Sequence, residues 1–204
     1  MKATVALLLC AGFLAACGSG DKKTDAKNPE SRAPAAKIKF AAGDVKVVRT
    51  GSTGEANLSD VDALLAATAS YVRQASVNPL RGEPLRISDL LTASARPNAV
   101  GHGGDALTDA GISSATGSVE VSSAPLPITI LTDTTGAAAL ATVTIDITIS
   151  TQTKKGAVKI HRIGELAFLR EGTTWLIDGW RLTVNRDGKG TSRSPKTTSS
   201  TKAP

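Results

Sequence analysis

The chain predicts an α+β fold in which an N-terminal helix and shorter helices pack on a bent antiparallel sheet, and three observations carry that reading. Residues 59–77 place Val61, Leu64, Leu65, Thr68, Val72 and Ala75 at three- and four-residue steps, which makes one apolar helical stripe. From Ser118 onward the apolar period becomes two, the period of strands. In the last strand the apolar phase moves from odd positions (Trp175, Ile177) to even ones (Trp180, Leu182, Val184) across Asp178-Gly179, as a β-bulge requires.

The elements follow in order. Ile38 to Thr50 alternates weakly and fits either a strand or a continued linker. For the long helix, Ser59 is the expected N-cap, Asp60 and Asp62 complement the helix dipole, and Asn78-Pro79 is the expected end. Ser88-Asp89-Leu90-Leu91 begins a shorter helix that stops before Pro97, and Asp105 to Ala110 offers one more turn. Residues 97–104 between them read as a glycine-rich loop holding His102.

Val119 and Val121 open the first strand of the sheet, and Ile128 to Leu131 continues it past Pro125 and Pro127, which suit an edge position. Thr142 to Ser150 alternates almost without fault, with Val143, Ile145, Ile147 and Ile149 facing a core. Thr153-Lys154-Lys155-Gly156 is the turn into a partner strand over Ala157 to Arg170. Glu171-Gly172-Thr173 turns again into Thr174 to Val184.

The N-terminus carries a different kind of information. Lys2 precedes an apolar run from Ala3 to Phe13, too short for a span that needs about 20 apolar residues. Leu14-Ala15-Ala16-Cys17 follows, and it resembles the bacterial lipoprotein processing site, in which the cysteine sulfur is acylated and the chain is cut before it. Cys10 does not fit, because Leu9 stands where a small residue is needed. The resemblance implies a lipid anchor on Cys17 and a protein moored at the extracytoplasmic face of the cell membrane. Cleavage there leaves no free thiol, which excludes disulfides, thiolate metal sites and cysteine nucleophiles.

The expected organisation is therefore a signal peptide over residues 1–16, a lipidated cysteine and flexible linker over 17–56, one domain over 57–186, and a disordered tail over 187–204. Residues 18–37 are small, polar and proline-containing, and as a random coil they hold the domain on the order of 25 Å from the bilayer. The net charge of +6 follows the same division. Residues 18–39 carry six basic against three acidic residues and residues 185–204 five against one, whereas residues 40–184 carry 12 against 14. A body with more acidic than basic residues, in a chain only 3% aromatic, lacks the basic face with stacking side chains that nucleic-acid binding asks for.

A helix, short helices and a meander of long strands with a late bulge resemble the NTF2-like (cystatin-like) α+β roll. The closing Gly172-Thr173-Thr174-Trp175-Leu176-Ile177-Asp178-Gly179-Trp180 looks like that superfamily's final-strand pattern. The resemblance covers about residues 57–186. In actinobacterial envelopes such folds occur in lipoproteins and in proteins associated with lipid-importing Mce complexes, and the composition suits that source.

Enzymes of that superfamily place an acid/base pair between helix and sheet. Across a tight turn at 153–156, Asp146 and His161 fall nearly opposite on neighbouring strands, a carboxylate able to orient an imidazole base. Asp146 nevertheless shares its face with Thr144, Thr148 and Ser150, which points to an outer-face ion pair. Trp175 and Trp180 read as core filling or as the lining of a ligand cleft, and Asp178 as a turn carboxylate or a cavity-directed one. His102 and the glycines beside it match neither a metal site nor a phosphate loop, so no metal and no cofactor is expected. The sequence favours a non-catalytic binding or accessory module whose partner is another envelope protein or an apolar small molecule. The alternative is a small isomerase, dehydratase or hydrolase using Asp146 and His161.

Overall fold

The computed structural model describes residues 38–49 and 57–191. Cys17, the expected signal peptide, residues 18–37 of the expected stalk and residues 192–204 of the expected tail lie outside the described residues. The fold is α+β, with a continuous helical segment over a mixed six-stranded sheet. No helix among the described residues is long and apolar enough to cross a membrane.

Strand β1 (Ala42–Val48) opens the chain, and helix α1 (Leu58–Val72) follows. The cap of α1 is Asn57 and not the expected Ser59: the Asn57 side chain accepts from the Ser59 N–H at 3.0 Å and from the Ser59 hydroxyl at 2.8 Å. Val61, Leu64, Thr68, Val72 and Ala75 are buried as the stripe predicts, with Leu65 half-buried at its margin.

Asn78-Pro79 does not end the helix. A π-turn over Arg73–Val77 passes into a last α-turn, α2 (Asn78–Leu80). Proline has no N–H, so the carbonyl one α-turn before Pro79, that of Ala75, is left without its helical donor. The backbone N–H of Asp109 takes that place at 2.8 Å. A tertiary hydrogen bond thus offsets the loss that would otherwise stop the helix.

The connection to the sheet is built from short pieces. A 3-10 turn spans Ile87–Leu90, a second spans Arg96–Ala99, and α3 (His102–Leu107) begins inside the expected glycine loop and takes in the first part of the turn expected from Asp105. Leu91 bridges to Ile177, fastening this connection to the sheet edge.

The sheet runs β1-β3-β4-β5-β6, and β2 (Glu120–Ser123) also pairs with β4. Both β2 and β3 (Leu126–Thr132) are antiparallel to β4 (Ala138–Thr153), β2 along Ile147–Ser150 and β3 along Ala138–Val143. The two form one line of pairing broken at Ala124-Pro125, and the second half resumes at Leu126, so that Pro127 lies inside β3 and not in the interruption. Their edge assignment is corrected for β3, because β1 pairs with it in parallel on its far side. The register of β1 shifts between Ala42 and Val45, where Pro127 has no N–H to give. Ala42–Val48 therefore belongs to the sheet, and the flexible linker expected over 17–56 is corrected there.

The β4–β5 hairpin closes through Lys154-Lys155 between paired Thr153 and Gly156, and β5 runs Gly156–Glu171. Val143, Ile145, Ile147 and Ile149 are all fully buried. In β6 (Thr174–Asp187), Gly179 pairs with Ala167 while Ile177 pairs with Phe168, so Asp178 is the extra residue and the bulge lies where the phase shift put it.

Close approach of β5 and β6 rests on Gly164. Its φ is +141°, and a Cβ there would stand 2.0 Å from the Arg181 carbonyl oxygen of β6. Gly172, in the β5–β6 turn, also has positive φ (+62°) but faces open space. Gly164→Ala is expected to destabilise the domain by about 3 kcal/mol, and Gly172→Ala by about 1 kcal/mol. Urea unfolding of the two variants checks this, and equal losses would contradict the packing described.

Candidate functional site

The space between helix and sheet is occupied by a buried polar cluster. Arg162 of β5 and Arg186 of β6 enter it from the sheet, Tyr71 and Ser76 from the helical segment, and Asp109 from the loop after α3. Arg162 is fully buried and Asp109 is 1% exposed. Each position has a local cause. Arg162 follows Val158 and Ile160 on the inward phase of β5, and Arg186 follows Trp180, Leu182 and Val184 on that of β6. Ser76 is turned inward by the π-turn, and Asp109 is held by its backbone bond to Ala75.

Asp109 is the hub. Its Oδ2 accepts from Arg162 Nη2 at 2.7 Å and from Ser76 Oγ at 2.5 Å, and its Oδ1 accepts from Arg186 Nε at 2.8 Å. Arg162 Nη1 donates to the Tyr71 hydroxyl at 2.8 Å and to the Ala106 carbonyl, and its guanidinium lies 5.7 Å from the Tyr71 ring centroid. Tyr71 donates to the Leu107 carbonyl at 3.2 Å, while Arg186 Nη2 reaches the carbonyls of Asp105 and Thr108. The Nε of Arg162 is buried without a hydrogen-bond partner among the described residues.

The electrostatics follow from this wiring. Burial pushes the Asp109 carboxyl upward, but the charges of Arg162 and Arg186 and the Ser76 hydrogen bond outweigh it, so its pKa lies below the ordinary aspartate value. Burial pushes the Tyr71 hydroxyl up to about 12, with Arg162 opposing in part. A carboxylate that receives three donors and is held ionised is not available as a base, so the cluster braces the interior instead of offering proton transfer.

The residues singled out from the sequence lie elsewhere. Asp146 and His161 do meet, Oδ1 to Nε2 at 2.7 Å, but diagonally: Asp146 is opposite Ile163 and His161 opposite Thr148. The two are diagonal neighbours across the hairpin, close enough to pair as the sequence suggests. The pair stands on the outward face, with side chains 57% and 35% exposed. Asp178 accepts from Thr92 at 2.6 Å and Ser94 at 2.8 Å, so the bulge carboxylate clamps the loop after Leu91. Trp180 is buried, and Trp175 is buried beneath Arg170, 5.7 Å from its ring centroid, where Arg170 also pairs with Asp60.

Trp175 also lines an open apolar groove of about 320 Å³ between α1 and the β5–β6 hairpin, together with Ala63, Ala67, Phe168 and Ile177. His102 opens α3. Among the described residues no three metal-binding side chains come together. Sequence reasoning missed Arg162, and it counted Arg186 with the basic tail although Arg186 is buried in the sheet. The available signal was an arginine on the apolar phase of each of two strands.

No family model matches the chain, and neither the curated proteins nor the solved structures contain a match to it.

The two perturbed groups bound the stability of the fold at opposite ends of the pH scale. Asp109 has a lowered folded pKa, so its contribution is fully present above the ordinary aspartate value of about 3.9 and is lost as pH falls through the depressed one. Tyr71 has a raised folded pKa, so its contribution is fully present below about 10 and is lost as pH rises toward about 12. Tyr71 is the only tyrosine, which makes ultraviolet absorbance of tyrosinate a direct report. Its ionisation is expected near the alkaline unfolding transition, about two pH units above that of the urea-unfolded chain. An unshifted midpoint in the folded protein would contradict the burial of its hydroxyl.

Proposed function

We propose that this protein is a membrane-anchored extracytoplasmic lipoprotein whose domain, an NTF2-like roll, acts as a non-catalytic binding or accessory module. The observation that carries the anchor is Leu14-Ala15-Ala16-Cys17 behind a short apolar run and one basic residue. The non-catalytic reading is supported by the interior. The volume that would hold a substrate is filled by Arg162, Asp109, Arg186 and the apolar side chains around them.

Binding is then a matter for the surface. The groove beside Trp175, apolar and open, suits an apolar small molecule or the side chain of a neighbouring envelope protein. The enzyme reading rests on the short Asp146–His161 contact alone, and that pair sits on an exposed sheet face.

The anchor is tested on the exported protein. Mass spectrometry is expected to find an acylated Cys17 as the first residue, and Cys17→Ala to release the chain from the membrane fraction into the soluble one. An unmodified residue 17, or a retained segment 1–16, would contradict the assignment.

A further inference from the structure

We infer that the β4–β5 hairpin end of the domain docks on anionic lipid headgroups, so that the protein lies against the bilayer by its basic tip. The inference builds on the proposed anchor at Cys17, and it stands on two independent observations: where the chain enters and leaves the fold, and where its surface charge lies.

The C-terminal described end lies at this pole, and the N-terminal one lies on the same half of the sheet. Residues 38–41 border a cleft with Val121–Ser123 of β2, which pairs with Ile147–Ile149 toward the tip of β4. From there β1 runs away from the tip, from Ala42 beside Leu126 to Val48 beside Leu131. At the other terminus, Asp187 pairs with Lys159, and Gly190 lies against Thr153 and Val158 at the hairpin base. The 20 residues 18–37 separate Cys17 from this half of the domain. An anchored domain would thus have its hairpin tip within tether reach of the membrane.

The charge matches such a surface. Lys154 and Lys155 form the exposed turn, and Lys159 and Lys189 flank it, exposed as well. The carboxylates on the adjoining strand ends are Glu120 and Asp187, and Arg81 near this pole is neutralised by Glu83 at 3.0 Å. At the opposite pole, the turns and the start of α1 present Asp133, Glu171 and Asp62 beside Arg49. A lysine near an anionic bilayer strengthens partition about fivefold, and the effect decays within a Debye length of about 8 Å at physiological salt. Orientation therefore decides whether these lysines count, and the position of the chain ends supplies it.

The test uses the mature chain from residue 17 with Cys17→Ser, so that no acyl group contributes, and vesicles of phosphatidylcholine with or without phosphatidylglycerol. The expected result is sedimentation with the anionic vesicles only, reversed by salt, and weakened on the order of tenfold or more in Lys154→Glu/Lys155→Glu. The exposed turn should leave the circular dichroism and thermal unfolding of that variant unchanged. Binding equal to the parent in the variant, binding to neutral vesicles alone, or retention by a soluble polyanion without vesicle binding would each overturn the inference. Acylation is scored separately by mass spectrometry. An unacylated Cys17 with intact vesicle binding would remove the anchor and leave the basic pole; an acylated Cys17 with no effect of the two lysines would do the reverse.

Discussion

The fold depends on one buried carboxylate. Asp109 joins elements that the chain keeps far apart: its backbone closes on the carbonyl left free by Pro79, and its side chain ties Ser76 to strands β5 and β6 through Arg162 and Arg186. Two arginines facing an apolar interior would be prohibitive without it, since an uncompensated buried charge costs about 3–5 kcal/mol. With it, the guanidinium groups also satisfy carbonyls of Asp105, Ala106 and Thr108, so the loop between helix and sheet is held by charge where apolar contact is thin. Such a network specifies one arrangement of helix, loop and sheet more than it adds stability over apolar packing.

The space between helix and sheet holds side chains whose polar atoms, the Nε of Arg162 excepted, largely engage one another. The exterior presents an apolar groove beside Trp175 and a threonine-rich outer sheet face crossed by Asp146 and His161.

Much of this was legible in the sequence, for identifiable reasons. Strand β4 could be read because one face meets the core and the other meets water, so its alternation is undisturbed. The bulge at Asp178 could be read because an inserted residue moves the apolar phase. What escaped was set by partners distant in the chain. Pro79 looked like a helix end because its lost bond is replaced by a residue from another loop. Ala42–Val48 looked like linker because its pairing is with β3, far along the chain and in parallel. Arg162 and Arg186 were hidden because charge is ordinarily read as exposure, although both stand in apolar register. Their only sequence mark is position, and it becomes meaningful once Asp109 is known to face them.

The claim that an ion network closes the interior is tested most directly by a double-mutant cycle on Asp109→Asn and Arg162→Met, with stability measured by urea unfolding. The account predicts that the two losses are coupled by about 2–3 kcal/mol, the double variant being far less damaged than the sum of the singles. Additivity within about 0.5 kcal/mol would mean that the two side chains do not share the buried contact, and the ion network would have to be abandoned.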